Sequence, residues 1–95
     1  MKSAKDVVEE YSGGYLDLRG YDLTGITLPT RIGGSLDLSG CNLSGITLPT
    51  SIDGYLNLSG CDLSGITLPT SVGGSLYLRG AKNIPDVVPE CEVIK

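Results

Sequence analysis

A 20-residue unit recurs along this chain and leaves room for little else. Its clearest copy spans residues 35–54, equivalent copies span residues 15–34 and 55–74, and a further copy begins at Ser75. A fixed period of this size predicts a solenoid, because one unit cannot bury its apolar face alone and must stack on its neighbours. The chain of 95 residues is therefore expected to form one small domain of about three to four coils.

Each copy contains short alternating runs that predict strands. The first run, as in residues 15–19, places leucine at every second position, which is typical of a strand with one buried face. A second run, Ile26-Thr27-Leu28, alternates again and ends at Pro29, so we predict a second strand there. The aliphatic side chains predicted to point inward are Leu16, Leu18, Leu23, Ile26, Leu28, Ile32, Leu36, Leu38, Leu43, Ile46, Leu48, Ile52, Leu56, Leu58, Leu63, Ile66, Leu68 and Val72. The sequence predicts a β-rich, right-handed solenoid with parallel strands and an aliphatic core.

The two ends of the chain depart from the repeat. The apolar positions Ala4, Val7, Val8 and Tyr11 are spaced as on one face of a helix. We therefore predict a short helix over about residues 4–11 that covers the first coil. The last six residues alternate charged and apolar side chains, which predicts a capping strand. The predicted organisation is an N-terminal cap over residues 1–14, a repeat solenoid over residues 15–80 and a C-terminal cap over residues 81–95.

The composition limits the classes of function. The net charge is −4, with seven Lys and Arg against eleven Asp and Glu, so we expect no direct binding of nucleic acid. No apolar run approaches transmembrane length and no hydrophobic signal region follows the first residues, so we expect no membrane partner and a cytoplasmic location. The three cysteines are an odd number, which fits reduced thiols better than a disulfide framework.

The residue types that catalysis and metal binding require are missing or badly placed. Histidine is absent, and Asp17 and Asp37 lie on an open strand face, so we predict that the protein is not an enzyme. Cys41 and Cys61 occupy the same position of successive copies and predict a column of buried thiols. Without His or a C-x-x-C pair we expect no metal site and no cofactor. Cys91 lies outside this column and is expected to be more exposed.

The repeated unit resembles the leucine-rich repeat, in the short bacterial or phage type with a Leu-Pro pair. The resemblance is carried by the run Leu36-x-Leu38-x-x-Cys41-x-Leu43-x-x-Ile46-x-Leu48-Pro49. The position that usually holds Asn or Cys in the family holds Tyr21, Cys41, Cys61 and Ala81 here, and tyrosine departs from the pattern. The resemblance covers about residues 15–80 and implies a leucine-rich-repeat-like solenoid whose first-strand face holds a partner protein.

A second resemblance is to the pentapeptide-repeat proteins. It is carried by Tyr21-Asp22-Leu23-Thr24-Gly25, Cys41-Asn42-Leu43-Ser44-Gly45 and Cys61-Asp62-Leu63-Ser64-Gly65. Twenty residues equal four pentapeptides, which is one square coil. The resemblance fails at residues 51–55, where the apolar residue is out of phase. It implies the same class of parallel solenoid.

The outward positions of the first strand vary between copies and form the candidate binding face. The candidate partner-binding residues are Tyr15, Asp17, Arg19, Asp37, Tyr55, Asn57, Tyr77 and Arg79. Tyrosine is favoured at interfaces because it supplies area and a hydrogen bond at low entropic cost. Asp17 is expected one coil from Asp37, where like charges repel, and Arg19 is placed to offset this repulsion. We predict a non-catalytic protein–protein interaction module, as in a small bacterial or phage-encoded inhibitor that covers a partner's surface.

Two alternative functions remain open from the sequence. The acidic positions at regular spacing would allow the solenoid to imitate a phosphate backbone and block a nucleic-acid-binding enzyme, as some pentapeptide-repeat proteins do. The chain would otherwise serve as a structural or assembly domain that forms homo-oligomers through its solenoid ends. On another side, the columns Thr27, Thr47, Thr67 and Thr30, Thr50, Thr70 predict an outward ladder of hydroxyl groups.

Overall fold

The structure, a computed structural model, describes residues 4–21, 23, 25–86 and 88–95. In these residues the chain forms one helix, α1 (Ala4–Glu9), and eight strands of two or three residues. The strands are β1 (Leu16–Asp17), β2 (Arg31–Ile32), β3 (Leu36–Asp37), β4 (Ser51–Ile52), β5 (Leu56–Asn57), β6 (Ser71–Val72), β7 (Ser75–Tyr77) and β8 (Glu92–Ile94). They are short because each coil soon turns a corner.

Strands one repeat apart pair in parallel and form two sheets. The first sheet has the order β1-β3-β5-β7-β8, and the second has the order β2-β4-β6. Leu16 lies opposite Leu36, and Leu36 lies opposite Leu56, so equivalent residues of successive copies stack directly. The described residues extend over 35 × 23 × 17 Å. The predicted solenoid with parallel strands and a short N-terminal helix is confirmed.

The stacked aliphatic columns form the core. Leu18, Leu38 and Leu58 are 0% exposed. Every side chain predicted to point inward is buried except that of Ile26, which is half-buried and packs against the core. Ile26 belongs to the first coil and borders a groove of about 210 Å³ that Val8 of the short helix also lines. At roughly 1.5–3 kcal/mol for each fully buried aliphatic side chain, these columns are the main source of stability.

The second strand of each coil lies later than predicted. Residues 26–29 belong to neither sheet, and the second sheet begins at Arg31–Ile32, so the prediction of a strand at Ile26-Thr27-Leu28 is wrong. One reason is that Pro29 has no N–H to donate to a neighbouring coil. The coils also stand apart here, since a groove of about 370 Å³ lies between residues 26–30 and residues of the next coil.

Glycine serves two different purposes in the coils. Gly40 has φ of 73°, in the left-handed region that glycine adopts without strain, and a β-carbon placed on it would meet nothing within 4 Å. Gly34 needs no left-handed backbone, but its β-carbon would lie 2.7 Å from the carbonyl carbon of Gly14 in the preceding coil. The first kind of glycine permits a corner. The second lets neighbouring coils approach beside the second sheet.

Helix α1 covers the open end of the first coil. Its core-contacting residues, together with the tyrosine that follows it, are Ala4, Val7, Val8 and Tyr11. The helix ends at Glu9, two residues before the predicted boundary. The Tyr11 hydroxyl oxygen then accepts a hydrogen bond from the backbone N–H of Gly33 at 3.0 Å. This bond ties the chain after the helix to the end of the first coil.

The last strand joins the first sheet with a shifted period. Ser75 lies opposite Glu92, an offset of 17 residues, whereas Leu56 and Leu76 show the 20-residue offset of the regular coils. Ile94 therefore lies opposite Tyr77, on the outward side of the sheet. The predicted strand near the C-terminus is present, and it adds an aliphatic residue to the face that carries the tyrosines.

The cysteine column is buried as predicted. Cys41 and Cys61 are 6% and 1% exposed. Their thiols donate to the backbone carbonyl oxygens of Leu18 and Leu38, each at 3.1 Å. All three cysteines are free thiols, and Cys91 is less buried than the other two. Burial raises the pKa of the Cys41 and Cys61 thiols, which makes them weak nucleophiles at neutral pH.

Candidate protein-binding face

The outward side of the first sheet, with the residues directly flanking its strands, carries the predicted partner-binding side chains. Leucines point into the core, and the residues between them point outward. We call this surface the tyrosine face and define it by Tyr15, Asp17, Arg19, Asp37, Tyr55, Asn57, Tyr77 and Arg79. Their exposure differs widely, since Tyr15 is 52% exposed and Asp37 is 5% exposed. The structure joins all of them except Asn57 and Arg79 through side-chain contacts.

Three tyrosine rings form a continuous band across this face. The ring centroids of Tyr15 and Tyr55 are 6.1 Å apart with an interplanar angle of 50°. Those of Tyr55 and Tyr77 are 5.7 Å apart at 88°, an edge-to-face contact. Both separations are attractive for aromatic pairs. Ser35 lies between the first two tyrosines in the same column, and its hydroxyl oxygen accepts the Tyr55 backbone N–H at 3.0 Å. The small serine lets the larger rings meet above it.

A cluster of charged groups lies at the first-coil end of the band. Arg19 donates from Nε to Asp17 Oδ1 at 3.0 Å and from Nη2 to Asp17 Oδ2 at 2.8 Å. Its Nε also lies 3.5 Å from Asp37 Oδ2. The two carboxylates belong to residues that lie directly opposite each other, so Arg19 offsets their repulsion as predicted. Hydrogen bonding with Arg19 lowers the pKa of Asp17, and the same bonds raise the pKa of Arg19.

Asp37 is covered, although its outward position in the repeat predicts an exposed carboxylate. Its Oδ1 accepts the Ser39 backbone N–H at 3.0 Å and the Ser39 hydroxyl at 2.8 Å. Its Oδ2 accepts the Tyr15 hydroxyl at 3.3 Å. Hydrogen bonding with Tyr55, followed by burial and the nearby carboxylates, raises the pKa of Tyr15, so this hydroxyl stays protonated at neutral pH. A partner therefore meets Tyr15 and Arg19, which lie over Asp37, before it meets the carboxylate.

The outward Asp and Asn side chains also hold the corners of the coils. In each case Oδ1 accepts the backbone N–H two residues later, an arrangement known as an Asx turn. The residues that make this bond, at 3.0 or 3.1 Å, are Asp17, Asp37, Asn42, Asn57 and Asp62. The equivalent Asp22 lies outside the described residues. The regular acidic columns thus have a structural reason for their spacing.

Arg79 is the repeat equivalent of Arg19 in a different environment. Tyr77 stands where the first coil has Asp17, so the fourth coil lacks the carboxylate that binds Arg19. Arg79 is exposed and makes no ion pair with any residue that the structure describes. Its backbone is held, since its carbonyl oxygen accepts the Gly60 N–H at 2.8 Å. The chain therefore presents a fixed backbone at this end of the tyrosine face, with a guanidinium that no described residue pairs with.

Sequence reasoning missed residues that extend or support the face. Ile94 lies opposite Tyr77 and is half-buried, and the exposed Glu92 lies two residues before it on the same side. The 20-residue period does not reveal either one, because the last strand is offset by 17 residues. The bonds between Ser39 and Asp37 were not predicted either. The Asp-x-Ser spacing is the signal that identifies them, since it is typical of an Asx turn.

The coils have another side, which we call the Leu-Pro side because it carries Leu28-Pro29, Leu48-Pro49 and Leu68-Pro69. Its chemistry differs from that of the tyrosine face. The Thr50 hydroxyl donates to the Thr30 carbonyl oxygen at 3.1 Å, and the Thr70 hydroxyl donates to the Thr50 carbonyl oxygen at the same distance. This column forms a hydroxyl ladder along successive coils, as predicted. Thr47 and Thr67 are exposed on this side. They provide control positions away from the tyrosine face.

The described residues hold no group of three or more His, Cys, Asp or Glu placed to bind a metal ion. Within the same residues, no helix combines the length and apolar character needed to cross a membrane.

The tyrosine face itself offers aromatic rings, guanidinium groups and hydroxyls. Tyrosine and arginine are the residue types that contribute most often to the binding energy of protein interfaces.

The central coil matches a known family of repeat. Residues 35–53 match the family model described as Leucine Rich Repeat. This coil is a leucine-rich repeat. The coils on either side stack on it with equivalent leucines in register, at Leu16 and Leu56 opposite Leu36. No curated protein and no solved structure matches the chain significantly.

The leucine-rich repeat explains why the tyrosine face is the surface to consider for binding. Stacked repeats build an extended surface that solenoid proteins use to bind partners. Such arrays are typically interaction scaffolds and not enzymes. In this solenoid, the sheet of β1, β3, β5, β7 and β8 supplies the longest continuous face among the described residues, and the three tyrosines lie on it. A protein-interaction module is the class of function that the family suggests.

Proposed function

We propose that the protein binds another protein through the tyrosine face and inhibits it by covering a functional surface. The observation that carries this proposal is the band formed by Tyr15, Tyr55 and Tyr77. The rings lie on the outer side of the sheet, and Tyr15 is 52% exposed although its repeat position accepts serine in the second and fourth copies. An exposed aromatic cluster adds little to the core, whereas it supplies the anchors that dominate protein interfaces.

The tyrosine band is also fixed before binding. Tyr15 is held through its hydroxyl by Asp37, and Tyr55 is held by ring contacts on both sides and by the bond from its backbone to Ser35. A partner would therefore lose little side-chain entropy of these rings on binding. Rigid aromatic groups on a solenoid scaffold support a binding role for this face.

Imitation of a phosphate backbone is the less favoured alternative. That role needs free carboxylates at regular spacing along the outside of the solenoid. Here Asp17 is paired with Arg19, Asp37 is 5% exposed, and the next position in the column is the neutral Asn57. Binding that depends on such mimicry would weaken steeply with salt. Partner binding that persists at high salt would therefore favour aromatic packing over mimicry.

Assembly through the solenoid ends is the other alternative. In the described residues β8 is the edge strand of the first sheet, and an edge strand can pair with another chain. The size of the purified protein in solution, measured by light scattering over a range of concentrations, tests this role. A stable dimer that a proline at Val93 in β8 converts to monomer would favour assembly. A monomer at all concentrations would favour the binding module.

The repeat itself supplies conservative variants to test the tyrosine face. Tyr15→Ser and Tyr55→Ser introduce the residue that Ser35 and Ser75 already place in this column. We expect the double variant to fold and to bind a partner, once isolated from the host and purified, at least about tenfold more weakly, since large losses at aromatic anchors are typical. The control is Thr47→Ala, on the Leu-Pro side, which should bind as the wild type does.

Two results would contradict the proposal. One is unchanged affinity in the serine double variant after circular dichroism has shown that it is folded. The other is an equal loss of affinity in the Thr47→Ala control, which would place the interface elsewhere. An inhibitory role has its own readout, since the activity of the purified partner should fall with occupancy of the complex.

A further inference from the structure

We infer that the partner presents a carboxylate side chain to Arg79, next to an apolar side chain that packs on Tyr77 and Ile94. This inference rests on the proposed function, because it names the chemistry that one end of the tyrosine face recognises. It concerns residues of the fourth coil and of β8, where the repeat pattern changes.

The comparison of two equivalent arginines carries the inference. Arg19 and Arg79 occupy the same position of the first and fourth copies, and the second and third copies have serine there. Arg19 is held by the carboxylate of Asp17 at 2.8 Å and lies 3.5 Å from that of Asp37. Arg79 is bordered by Tyr77 instead and has no carboxylate within ion-pair distance among the described residues. The guanidinium group is therefore ion-paired at one end of the face, whereas at the other end no described residue pairs with it.

The surroundings of Arg79 favour an anion. Glu92 is on the same face, but it lies opposite Ser75. That position is four residues from Arg79, or roughly 13 Å along an extended strand. The exposed Lys95 follows Ile94 at this end of the sheet and adds positive charge. Arg79 is thus a positive group without a paired carboxylate among the described residues, in a chain whose net charge is −4. A guanidinium binds a carboxylate through two parallel hydrogen bonds, so a partner carboxylate is the complementary group.

The neighbouring apolar groups indicate what accompanies the carboxylate. The Tyr77 ring stands nearly perpendicular to that of Tyr55, and Ile94 lies opposite Tyr77 in the next strand and is half-buried. An apolar side chain of the partner that packs on this pair would exclude water from the ion pair. Exclusion of water strengthens the attraction between the charges. The expected motif is thus an acidic residue close to an apolar one.

A second copy of this chain is a poorer occupant of this position. On the tyrosine face of that copy, Asp17 and Asp37 are already engaged by Arg19 and by backbone or hydroxyl groups. We therefore commit to a foreign protein segment with a free carboxylate.

A library of random linear peptides displayed on phage tests the inference without knowledge of the natural partner. It is selected on the purified wild type, on Arg79→Ser and on Arg79→Glu. The serine variant carries the residue of the second and third copies and should fold normally. We expect wild type to enrich peptides with Asp or Glu near an apolar residue. A synthetic peptide from this set should bind Arg79→Ser at least about tenfold more weakly. Arg79→Glu should enrich Lys or Arg instead.

The selected peptide is also measured against Tyr55→Ser, which separates the inference from the proposed function. Loss of binding in Tyr55→Ser with full binding in Arg79→Ser would overturn the inference and leave the tyrosine face as the binding surface. Full binding in both variants would overturn both proposals. The inference also fails if no peptide is enriched, or if enriched peptides lack acidic residues. It fails as well if wild type self-associates and Arg79→Ser does not, since the second copy would then be the occupant.

Discussion

Arg19 and Asp37 join the first two coils through their side chains, with Arg19 Nε 3.5 Å from Asp37 Oδ2. The two coils are also held by the leucine columns and by backbone hydrogen bonds such as that from Leu16 N–H to the Ser35 carbonyl oxygen at 2.8 Å. Side-chain hydrogen bonds such as that from the Tyr15 hydroxyl to Asp37 Oδ2 at 3.3 Å add to these. The ion pair is confined to the outer surface. It therefore arranges the charges of the tyrosine face more than it stabilises the fold.

Replacement of Arg19 by the serine of neighbouring copies should make folding less sensitive to acid. The pKa of Asp17 in the folded protein lies below its ordinary value of 3.8 because of Arg19. A carboxyl with a lowered folded pKa stabilises the protein above its unfolded pKa, and this contribution is lost as pH falls through the folded pKa. In Arg19→Ser the side-chain bonds that contribute most to this lowering of the pKa are lost, while the bond from the backbone N–H of residue 19 remains. The difference in free energy of unfolding between wild type and variant should therefore shrink from about pH 7 to about pH 3.

Urea titrations at several pH values measure this difference. Asp62, whose pKa is lowered mainly by hydrogen bonding with Asn83, contributes equally to both proteins and cancels in the comparison. A difference that stays constant with pH would show that Arg19 does not perturb Asp17.

The covered carboxylate of Asp37 should matter more as a hydrogen-bond acceptor than as a charge. Asp37→Ala leaves the Ser39 N–H and the Tyr15 hydroxyl without their acceptor and should cost about 1–3 kcal/mol of stability. Asp37→Asn should cost clearly less, because its amide oxygen can make the bond that Asn57 makes to Ser59 at 3.0 Å. Urea unfolding at neutral pH compares the two variants. Equal losses would mean that the negative charge is what the site requires.

Two glycines should differ in how they tolerate alanine and asparagine. At Gly40 the backbone is left-handed, so Gly40→Ala should cost roughly 1–2 kcal/mol. Gly40→Asn should cost less, because asparagine tolerates this region, as Asn83 does here with φ of 56°. At Gly34 any β-carbon meets the backbone of Gly14, so alanine and asparagine should both be severely destabilising. Thermal unfolding of the four variants checks this, and an advantage of asparagine at Gly34 would contradict the close approach.

The three thiols should differ in their rates of alkylation in the folded protein. Cys41 and Cys61 are buried, donate to backbone carbonyls and have raised pKa values, so we expect them to react slowly with iodoacetamide at neutral pH. Cys91 is more accessible, although burial also raises its pKa somewhat, and it should react first. Mass spectrometry of a time course distinguishes the sites. Rapid labelling of Cys41 before unfolding would contradict a closed thiol column.

We propose that residues 1–14 act as a cap on the repeat solenoid and that residues 81–95 close its other end. Tyr11→Phe tests the N-terminal part with a single atom change, because it removes the acceptor for the Gly33 N–H. The expected cost is about 1 kcal/mol. Hydrogen exchange should also speed up at Gly33, while the amides of β5 should keep their protection. Unchanged exchange at Gly33 would show that the chain after α1 does not hold the first coil.

The architecture was predictable because the same type of aliphatic residue recurs at each inward position in successive copies. Leu18, Leu38 and Leu58 support one another as evidence for a column, and all three are fully buried. The second strand was not predictable from local alternation. Ile26-Thr27-Leu28 alternates like a strand, but pairing depends on how closely the coils approach. That approach is set by glycines such as Gly34, which stand several residues away from the alternating run.

The sequence predicted which residues lie on the candidate binding face, but it did not predict the contacts between them. The outward positions follow from the two-residue period of a strand. The burial of Asp37 depends on the sizes of Tyr15 and Arg19, which reach over it from the preceding coil. The position of Ile94 beside Tyr77 depends on an offset that differs from the repeat. Both are relations between coils, and a periodic pattern describes only one coil at a time.

The direct stacking of equivalent residues has a mechanical consequence. Each coil is fastened only to the coils on either side of it, so a force applied at the two ends of the chain should peel the molecule open one coil at a time. Each step should release roughly 66–72 Å of extended chain, the contour length of a 20-residue unit. In a stretching experiment, the length released in each step would then equal the length of one sequence repeat.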